Sequence, residues 1–133
     1  MIQAEDGVLA AAARLVDAFS RHDTDGYFAA FAADASFIFH NLDRVLTSRD
    51  AYRDEWRLWE ERDGFRVLGC RSSDRNLQMA GDVAVFTHAV ETDVSVGGET
   101  MTNRERETIV FRREASEWIA FHEHLSALPA QIS

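Results

Sequence analysis

The two charged side chains of this sequence that could act together on a ligand are Arg106 and Glu123. Residues 108–126 alternate around a short polar break, which predicts an antiparallel hairpin. If Arg112 faces Glu117 across the turn, Arg106 lies opposite Glu123. Arginine offers a planar fork of donors to a carboxylate or an enolate, and a neighbouring glutamate can act as acid or base. The pair is therefore a candidate catalytic site, and the same two residues also fit a structural ion pair.

Three aromatic side chains, Tyr52, Trp56 and Trp59, share one face of a predicted helix because they follow the spacing i, i+4, i+7. Aromatic residues at helical spacing pack in a core more often than they surround a ligand. The sequence leaves both interpretations open.

Two histidines, His122 and His124, share a strand face as metal ligands do, and His88 could join them from a nearby strand. In the predicted register, Glu107 and Glu105 lie opposite the two histidines and already account for them. We therefore predict a raised pKa for both histidines and no metal site. The sequence has no phosphate-binding loop, nucleophile elbow or dinucleotide fingerprint, so no cofactor is predicted.

The composition limits the expected partners and location. At 133 residues the chain is predicted to form a single domain, 1–133, with one core. Its net charge of −9 argues against nucleic acid and against an anionic membrane surface. The start of the sequence, MIQAEDG, lacks the basic and apolar regions of a signal peptide. These features predict a cytoplasmic protein.

The first half of the sequence has mainly the apolar spacing of helices. It predicts three of them, over 5–21, within 22–35 and over 48–61. Asp23 or Thr24 is the expected N-cap of the second helix, and Ser48 is that of the third. Before the third helix, Ser36–His40 alternates as a first strand.

After Gly64 the apolar period changes to two residues and stays there. This predicts strands over 65–72, 75–80, 82–95, 99–112 and 117–126, of which the first two could form one bent strand. Helices followed by a meander of strands indicate an α+β fold with the helices on one face of the sheet.

Two segments resemble a known superfamily. HDTDGYFAAFAADASF, residues 22–37, resembles the opening signature of nuclear-transport-factor-2-like proteins. FRREASEWIAFHEHLSALP, residues 111–129, resembles the closing hairpin of SnoaL-like proteins and of the calcium/calmodulin-dependent kinase II association domain. The resemblance implies a cone-shaped, strongly curved and mostly antiparallel sheet wrapped around three N-terminal helices, with a pocket inside. This fold hosts enzymes, binding proteins and oligomerisation modules, so it does not define an activity.

The sequence departs from these relatives at several site positions. Ketosteroid isomerases share this fold, and their opening signature aligns with residues of this sequence without gaps. Their catalytic tyrosine and general-base aspartate then correspond to Leu15 and Phe39, which cannot transfer protons. The comparison therefore argues against steroid isomerisation by that route. The pocket arginines of the kinase association domain fall on Thr87, Thr108 and Leu125, so its anion site is not reproduced either.

The same resemblance implies which face of the sheet lines the pocket. It places Thr108, Phe121 and Glu123 inside, and His122 and His124 outside. The predicted ligand-binding residues are Tyr52, Trp56, Trp59, Thr87, Glu91, Arg106, Thr108, Phe121 and Glu123, with Glu123 and Arg106 also as the catalytic pair.

The outer face would then carry an apolar patch made of Phe86, Val90, Ile109, Phe111 and Trp118. Such a patch is larger than a soluble monomer usually exposes. We therefore predict a homodimer through the outer sheet face.

The expected function is binding of a small hydrophobic ligand that carries a carboxylate or carbonyl group. A SnoaL-like domain of this kind could be an isomerase, a cyclase or a dehydratase that uses acid–base chemistry without a cofactor. The alternative is a non-catalytic ligand sensor, or a dimerisation and assembly module. Few titratable groups converge on the predicted pocket, namely Glu123 with Glu91 or His40, so the sequence leaves the question of catalysis open.

Overall fold

A computed structural model describes residues 3–129. The helices are α1 (Ala4–Ser20), α2 (Thr24–Ala29) and α3 (Arg49–Asp63), and the strands are β1 (Phe31–Phe39), β2 (Arg66–Ala80), β3 (Val83–Val96), β4 (Glu99–Glu114) and β5 (Glu117–Ala127). The order of elements agrees with the prediction. β1 begins earlier than expected, at Phe31 instead of Ser36, and β2 is one strand whose pairing with β3 is irregular at two places.

Side chains at the helix ends match those expected from the sequence. The Asp23 carboxylate accepts the backbone N–H of Gly26 at 3.1 Å, and Ser48 Oγ accepts that of Ala51 at 3.0 Å. Each bond satisfies a donor that the first helical turn leaves free. At its other end α3 stops at Gly64, whose φ of 63° is left-handed and therefore suits glycine.

Removing the cap of α3 should weaken this helix. We expect Ser48→Ala to lower the free energy of unfolding by about 1 kcal/mol, because the Ala51 N–H loses its partner. Urea denaturation measures the difference. Ser73→Ala, at an exposed position of β2, is the control and should change the stability by less than about 0.5 kcal/mol. Equal stability of Ser48→Ala and the parent protein would contradict the assigned cap.

The five strands form one open sheet in the order β1-β5-β4-β3-β2. β1 runs parallel to β5, and the other neighbours are antiparallel. α1 packs across β2 and β5 while α3 packs on β1, so the helices cover one face of the sheet. The predicted α+β fold, a curved sheet around N-terminal helices, is confirmed. Within residues 3–129, no helix combines the length and the apolar character needed to cross a membrane.

Burial alternates along β3 and shows which face of the sheet packs on the helices. Phe86, His88 and Val90 are buried, whereas Thr87 and Ala89 between them are partly exposed. On β4 the buried positions are Glu107, Ile109 and Phe111. The inner face therefore consists of these residues, and their immediate neighbours along the chain lie on the outer face.

The hairpin of β4 and β5 has a different register from the predicted one. Glu114, and not Arg112, lies opposite Glu117. A bulge follows, since Phe111 pairs with Ala120 whereas Val110 pairs with His122. This leaves Phe121 as an extra residue on β5. The position of the turn and the bulge together change which residues of β4 and β5 lie opposite each other, from Val110 back to Glu105.

The predicted pairing of Arg106 with Glu123 is therefore wrong. Arg106 is exposed and lies opposite Ser126, whereas Glu123 is completely buried and lies opposite Ile109. The two side chains lie on opposite faces of the sheet, so they form neither an ion pair nor a joint site. Five residues predicted to bind ligand lie on the outer face for the same reason: Thr87, Glu91, Arg106, Thr108 and Phe121.

The apolar patch that was expected on the outer face belongs largely to the core. Phe86, Val90, Ile109 and Phe111 are buried beneath the helices, and Trp118 packs against α1. The argument for a homodimer through these residues no longer holds, and the homodimer itself stays a prediction.

The two histidines of β5 do not pair with the glutamates of β4. His122 is opposite Val110, and its Nδ1 lies 2.8 Å from Ser36 Oγ. Partial burial, followed by the charge of His124, lowers the pKa of His122, so the predicted rise is wrong. His88 lies on the inner face, which separates it from both of them.

Candidate functional site

A cavity of about 580 Å³ lies between the helices and the inner face of the sheet. Small-molecule sites have volumes of roughly 300–1,000 Å³. The walls are mostly aromatic and aliphatic, and polar groups lie at the inner end and at the mouth. The aromatic residues are Phe19, Tyr27, Phe39, Tyr52, Trp56, Trp59 and Phe65. Of the residues predicted to bind ligand, Tyr52, Trp56, Trp59 and Glu123 line this cavity.

His22, at the turn between α1 and α2, holds the aromatic wall in place. Its ring stacks on Trp56 with the centroids 5.0 Å apart. Its Nδ1 accepts the backbone N–H of Val67 at 2.9 Å, which leaves the proton on Nε2 to be donated to Glu60 at 2.8 Å. This side chain therefore ties α3 and β2 to the turn and fixes Trp56 over the cavity.

Two carboxyl groups, those of Glu107 and Glu123, meet at the inner end of the cavity. They are diagonal neighbours on β4 and β5, since Glu123 lies opposite Ile109, and they share a hydrogen bond. Adjacent carboxyl groups do not both ionise readily. Burial, followed by the charge of Glu107, raises the pKa of Glu123 well above its usual range. Glu123 is therefore the protonated member and donates to the Glu107 carboxylate.

Both carboxyl groups line the cavity, and Glu107 is the more accessible of the two. Its side chain is 9% exposed, whereas Glu123 is 0% exposed. Burial raises the pKa of Glu107 to about 7, and the hydrogen bond from Glu123 opposes this rise. A carboxyl group with this pKa can give or take a proton near neutral pH.

Two tyrosines complete one side of the carboxyl pair. Tyr27 Oη lies 3.1 Å from Glu123 Oε1 and 2.9 Å from Tyr52 Oη. Burial, followed by the charge of Glu123, raises the pKa of both phenols, so they are neutral donors. Tyr52 therefore donates to Tyr27, Tyr27 donates to Glu123, and Glu123 donates to Glu107, so this chain of hydrogen bonds ends on the Glu107 carboxylate.

His88 flanks the pair on the other side, where β3 places it directly opposite Glu107. Its Nε2 lies 2.6 Å from Glu107 Oε1, and its Nδ1 lies 2.6 Å from Ser72 Oγ. Burial lowers the pKa of His88 to about 4. The ring is therefore uncharged near neutral pH and carries one N–H proton.

The mouth of the cavity is more polar than its walls. His40 Nε2 lies 2.6 Å from Glu105 there, whereas the Arg104 guanidinium reaches Glu91 on the outer face at 3.4 Å. Within residues 3–129, Arg104 is the only arginine that lines the cavity, beside Glu105, Glu107 and Glu123. This excess of carboxyl groups disfavours an anionic ligand.

Glu107, His88 and Tyr27 were not among the predicted site residues, because the assumed register placed Glu107 outside. A signal for Glu107 was present in the sequence. It alternates with Ile109 and Phe111, while the other face of β4 carries arginines at several positions. Since the more apolar face of an antiparallel strand packs on the core, this pattern alone favours Glu107 inside.

The family model for the SnoaL-like domain matches residues 8–131, nearly the whole chain. The chain therefore belongs to the SnoaL-like domain family, and the resemblance noted in the sequence is confirmed. Among curated proteins, none matches the sequence.

Solved structures with the same fold extend this result. The chain is similar to an NTF2-like protein from Cytophaga hutchinsonii, with 16% identity, coverage of 96% of this chain and 100% of that one, and a TM-score of 0.80. A putative calcium/calmodulin-dependent kinase II association domain from Exiguobacterium sibiricum has 14% identity, coverage of 98% of both chains and a TM-score of 0.80. An NTF2-like protein of unknown function in nutrient uptake from Rhodospirillum rubrum has 23% identity, coverage of 92% and 98%, and a TM-score of 0.78. At these identities the likeness concerns the fold alone.

Proposed function

We propose that the chain binds a small, uncharged carbonyl compound in its cavity and that Glu107 moves a proton on this compound. The position of Glu107 carries the proposal, since its carboxyl group meets the cavity, has a pKa of about 7 and is flanked by His88 and Glu123. A general base is most effective when its pKa lies near the working pH. Isomerisation, cyclisation and dehydration by proton transfer all fit such a site.

The charges around the cavity support a carbonyl group over a carboxylate in the ligand. Recognition of a carboxylate was predicted from Arg106, which lies on the outer face. The inner end of the cavity instead offers the Glu107 carboxylate beside the protonated Glu123 and two phenols. In such a set the Glu107 carboxylate can remove a proton from the carbon next to a carbonyl, while the neutral groups behind it hold it in place by hydrogen bonds.

The aromatic wall supports a flat, ring-containing body for the ligand. Tyr52, Trp56 and Trp59 lie along one face of α3 and present ring surfaces to the cavity. Aromatic rings pack well against other flat apolar groups. The volume of about 580 Å³ accommodates a molecule of one to three rings.

Deuterium exchange tests proton transfer without knowledge of the natural ligand. In D₂O near neutral pH, 1-indanone and 1-tetralone exchange the protons at C2, and proton NMR follows the loss of signal. We expect the protein to accelerate exchange at least about 10-fold over buffer. Glu107→Gln should return the rate to within about 2-fold of buffer, because glutamine cannot accept the proton.

Glu99→Gln is the matched control, since it removes an exposed carboxylate from the start of the same strand. It should exchange both ketones like the parent protein. Saturation-transfer NMR shows in parallel whether each protein binds the ketones. Exchange by Glu107→Gln at the parent rate would refute the role of Glu107. Binding without any acceleration by the parent would instead favour a non-catalytic ligand sensor.

A further inference from the structure

Ser72 contacts the acid–base site from behind. Its Oγ lies 2.6 Å from His88 Nδ1, and the opposite nitrogen of the same ring lies 2.6 Å from Glu107 Oε1. The three residues lie on the neighbouring strands β2, β3 and β4. His88 is buried and Ser72 is partly exposed. Neither is among the residues that line the cavity in the described part of the chain.

From this geometry we propose that Ser72 fixes the Nε2–H tautomer of His88 and thereby keeps Glu107 ionised as the base that faces the cavity. The inference rests on the proposed function, in which Glu107 accepts the proton of the ligand. Ser72 and His88 act through Glu107, so they are positioning residues.

The hydrogen-bond donors and acceptors of the neutral His88 ring support this assignment of the tautomer. A neutral imidazole has one N–H donor and one acceptor nitrogen. If the Ser72 hydroxyl donates to Nδ1, the ring proton must lie on Nε2, where it is donated to the Glu107 carboxylate. In the other tautomer an Nε2 lone pair would face Glu107 and favour its protonated form. By favouring the Nε2–H tautomer of His88, Ser72 therefore stabilises the ionised form of Glu107.

Other groups also act on this pair, and they are the same in the variants proposed below. The titratable and charged groups that face Glu107 or His88 are Tyr27 on α2, Tyr52 on α3, Cys70 and Arg75 on β2, Glu105 on β4 and Glu123 on β5. Burial keeps the pKa of His88 near 4, so the ring stays neutral while Glu107 titrates. The tautomer is thus the variable that Ser72 can control.

Two variants of equal shape separate the hydroxyl from packing. Ser72→Thr keeps the hydroxyl, and Ser72→Val has the shape of threonine without it. Long-range proton–nitrogen NMR reports the tautomer of His88, and carbon-13 NMR of the glutamate carboxyls follows Glu107. We expect Nε2–H in the parent and in Ser72→Thr at pH 8. In Ser72→Val we expect a mixture with Nδ1–H and a Glu107 midpoint at least about 0.5 pH units higher, a threefold change in the ionisation constant.

The pH profile of 1-tetralone exchange completes the test. In Ser72→Val its midpoint should move by the same amount, while the dissociation constant of 1-tetralone changes by less than about 2-fold. Ser73→Ala, at the exposed neighbouring position, should match the parent in every measurement.

The outcomes for positioning and for the proposed reaction can be told apart, because the two NMR titrations need no ligand. An unchanged tautomer and midpoint in Ser72→Val would overturn the positioning role, even if 1-tetralone is exchanged through Glu107. A shifted midpoint without any exchange of 1-tetralone would support the positioning role and count against the proposed reaction. Equal shifts in Ser72→Thr and Ser72→Val would overturn the role of the hydroxyl.

Discussion

Trp56→Ala is expected to lower the free energy of unfolding by about 3–5 kcal/mol, the usual range for removing a buried tryptophan. Trp56 is 1% exposed, and six aromatic rings have centroids within 6.2 Å of its own. Its Nε1 also donates to Thr24 Oγ1 at 3.2 Å. Alanine would lose these contacts and leave a void that rigid rings cannot fill. Urea denaturation followed by circular dichroism measures the effect.

Leu58→Ala is the control for Trp56→Ala, because Leu58 lies on the same helix and is 44% exposed. It should cost less than about 1 kcal/mol. Trp56→Phe keeps one ring and should fall between the two variants. A loss below about 1 kcal/mol for Trp56→Ala would show that the aromatic cluster does not hold α3 on the sheet.

The helices and their caps could be predicted because they depend on residues close in sequence. Asp23 caps the N–H three residues ahead of it, and Ser48 does the same for α3. Likewise, the spacing of Tyr52 and Trp56 places both on one helical face, and both are buried in the structure. In each case the residues that determine the structure lie within two helical turns of each other.

The register of β4 and β5 could not be predicted in the same way. Alternation along each strand defines two faces, but it does not say which residues of the partner strand lie opposite. The turn residues chosen in the structure and the bulge beside Phe121 shift the pairing. Arg106 thereby moves away from Glu123, although Glu123 lies inside in both the prediction and the structure.

The candidate site around Glu107 depends on contacts between distant parts of the chain. Glu107 meets His88 across 19 residues of sequence, and Tyr27 meets Glu123 across 96. The alternation along β4 favours Glu107 on the inner face, but it does not show which groups of other strands surround its carboxyl group. Only the pairing of β3 with β4 shows that its carboxyl group is enclosed and hydrogen-bonded.

The same enclosed carboxyl groups predict how stability depends on pH. Glu123 has a raised pKa in the folded protein, so its contribution to stability is present at low pH and is lost as the pH rises toward that pKa. Glu107 acts in the same direction up to about pH 7. His88 acts in the opposite direction, because its lowered pKa of about 4 makes its contribution complete above the unfolded value near 6.5.

Between about pH 4.5 and 6.5 the opposing effects of Glu107 and His88 largely cancel, and above this window the carboxyl groups act unopposed. We therefore expect the parent protein to lose stability as the pH rises from about 6.5 to 8.5. Urea titrations at fixed ionic strength across this range measure the slope.

Glu123→Gln isolates the buried carboxyl group from the other titrating groups. Glutamine has nearly the same shape and can still donate to Glu107, but it cannot ionise. We expect Glu123→Gln to remove most of the slope and to be more stable than the parent near pH 8.5, while Glu99→Gln keeps the parent slope. Gained stability after loss of a fully buried glutamate would follow because Glu123 ionises more readily in the unfolded chain, which favours unfolding of the parent as the pH rises. A parent curve that is flat from about pH 6.5 to 8.5, or a Glu123→Gln curve parallel to it, would show that Glu123 does not titrate differently in the folded and unfolded chains.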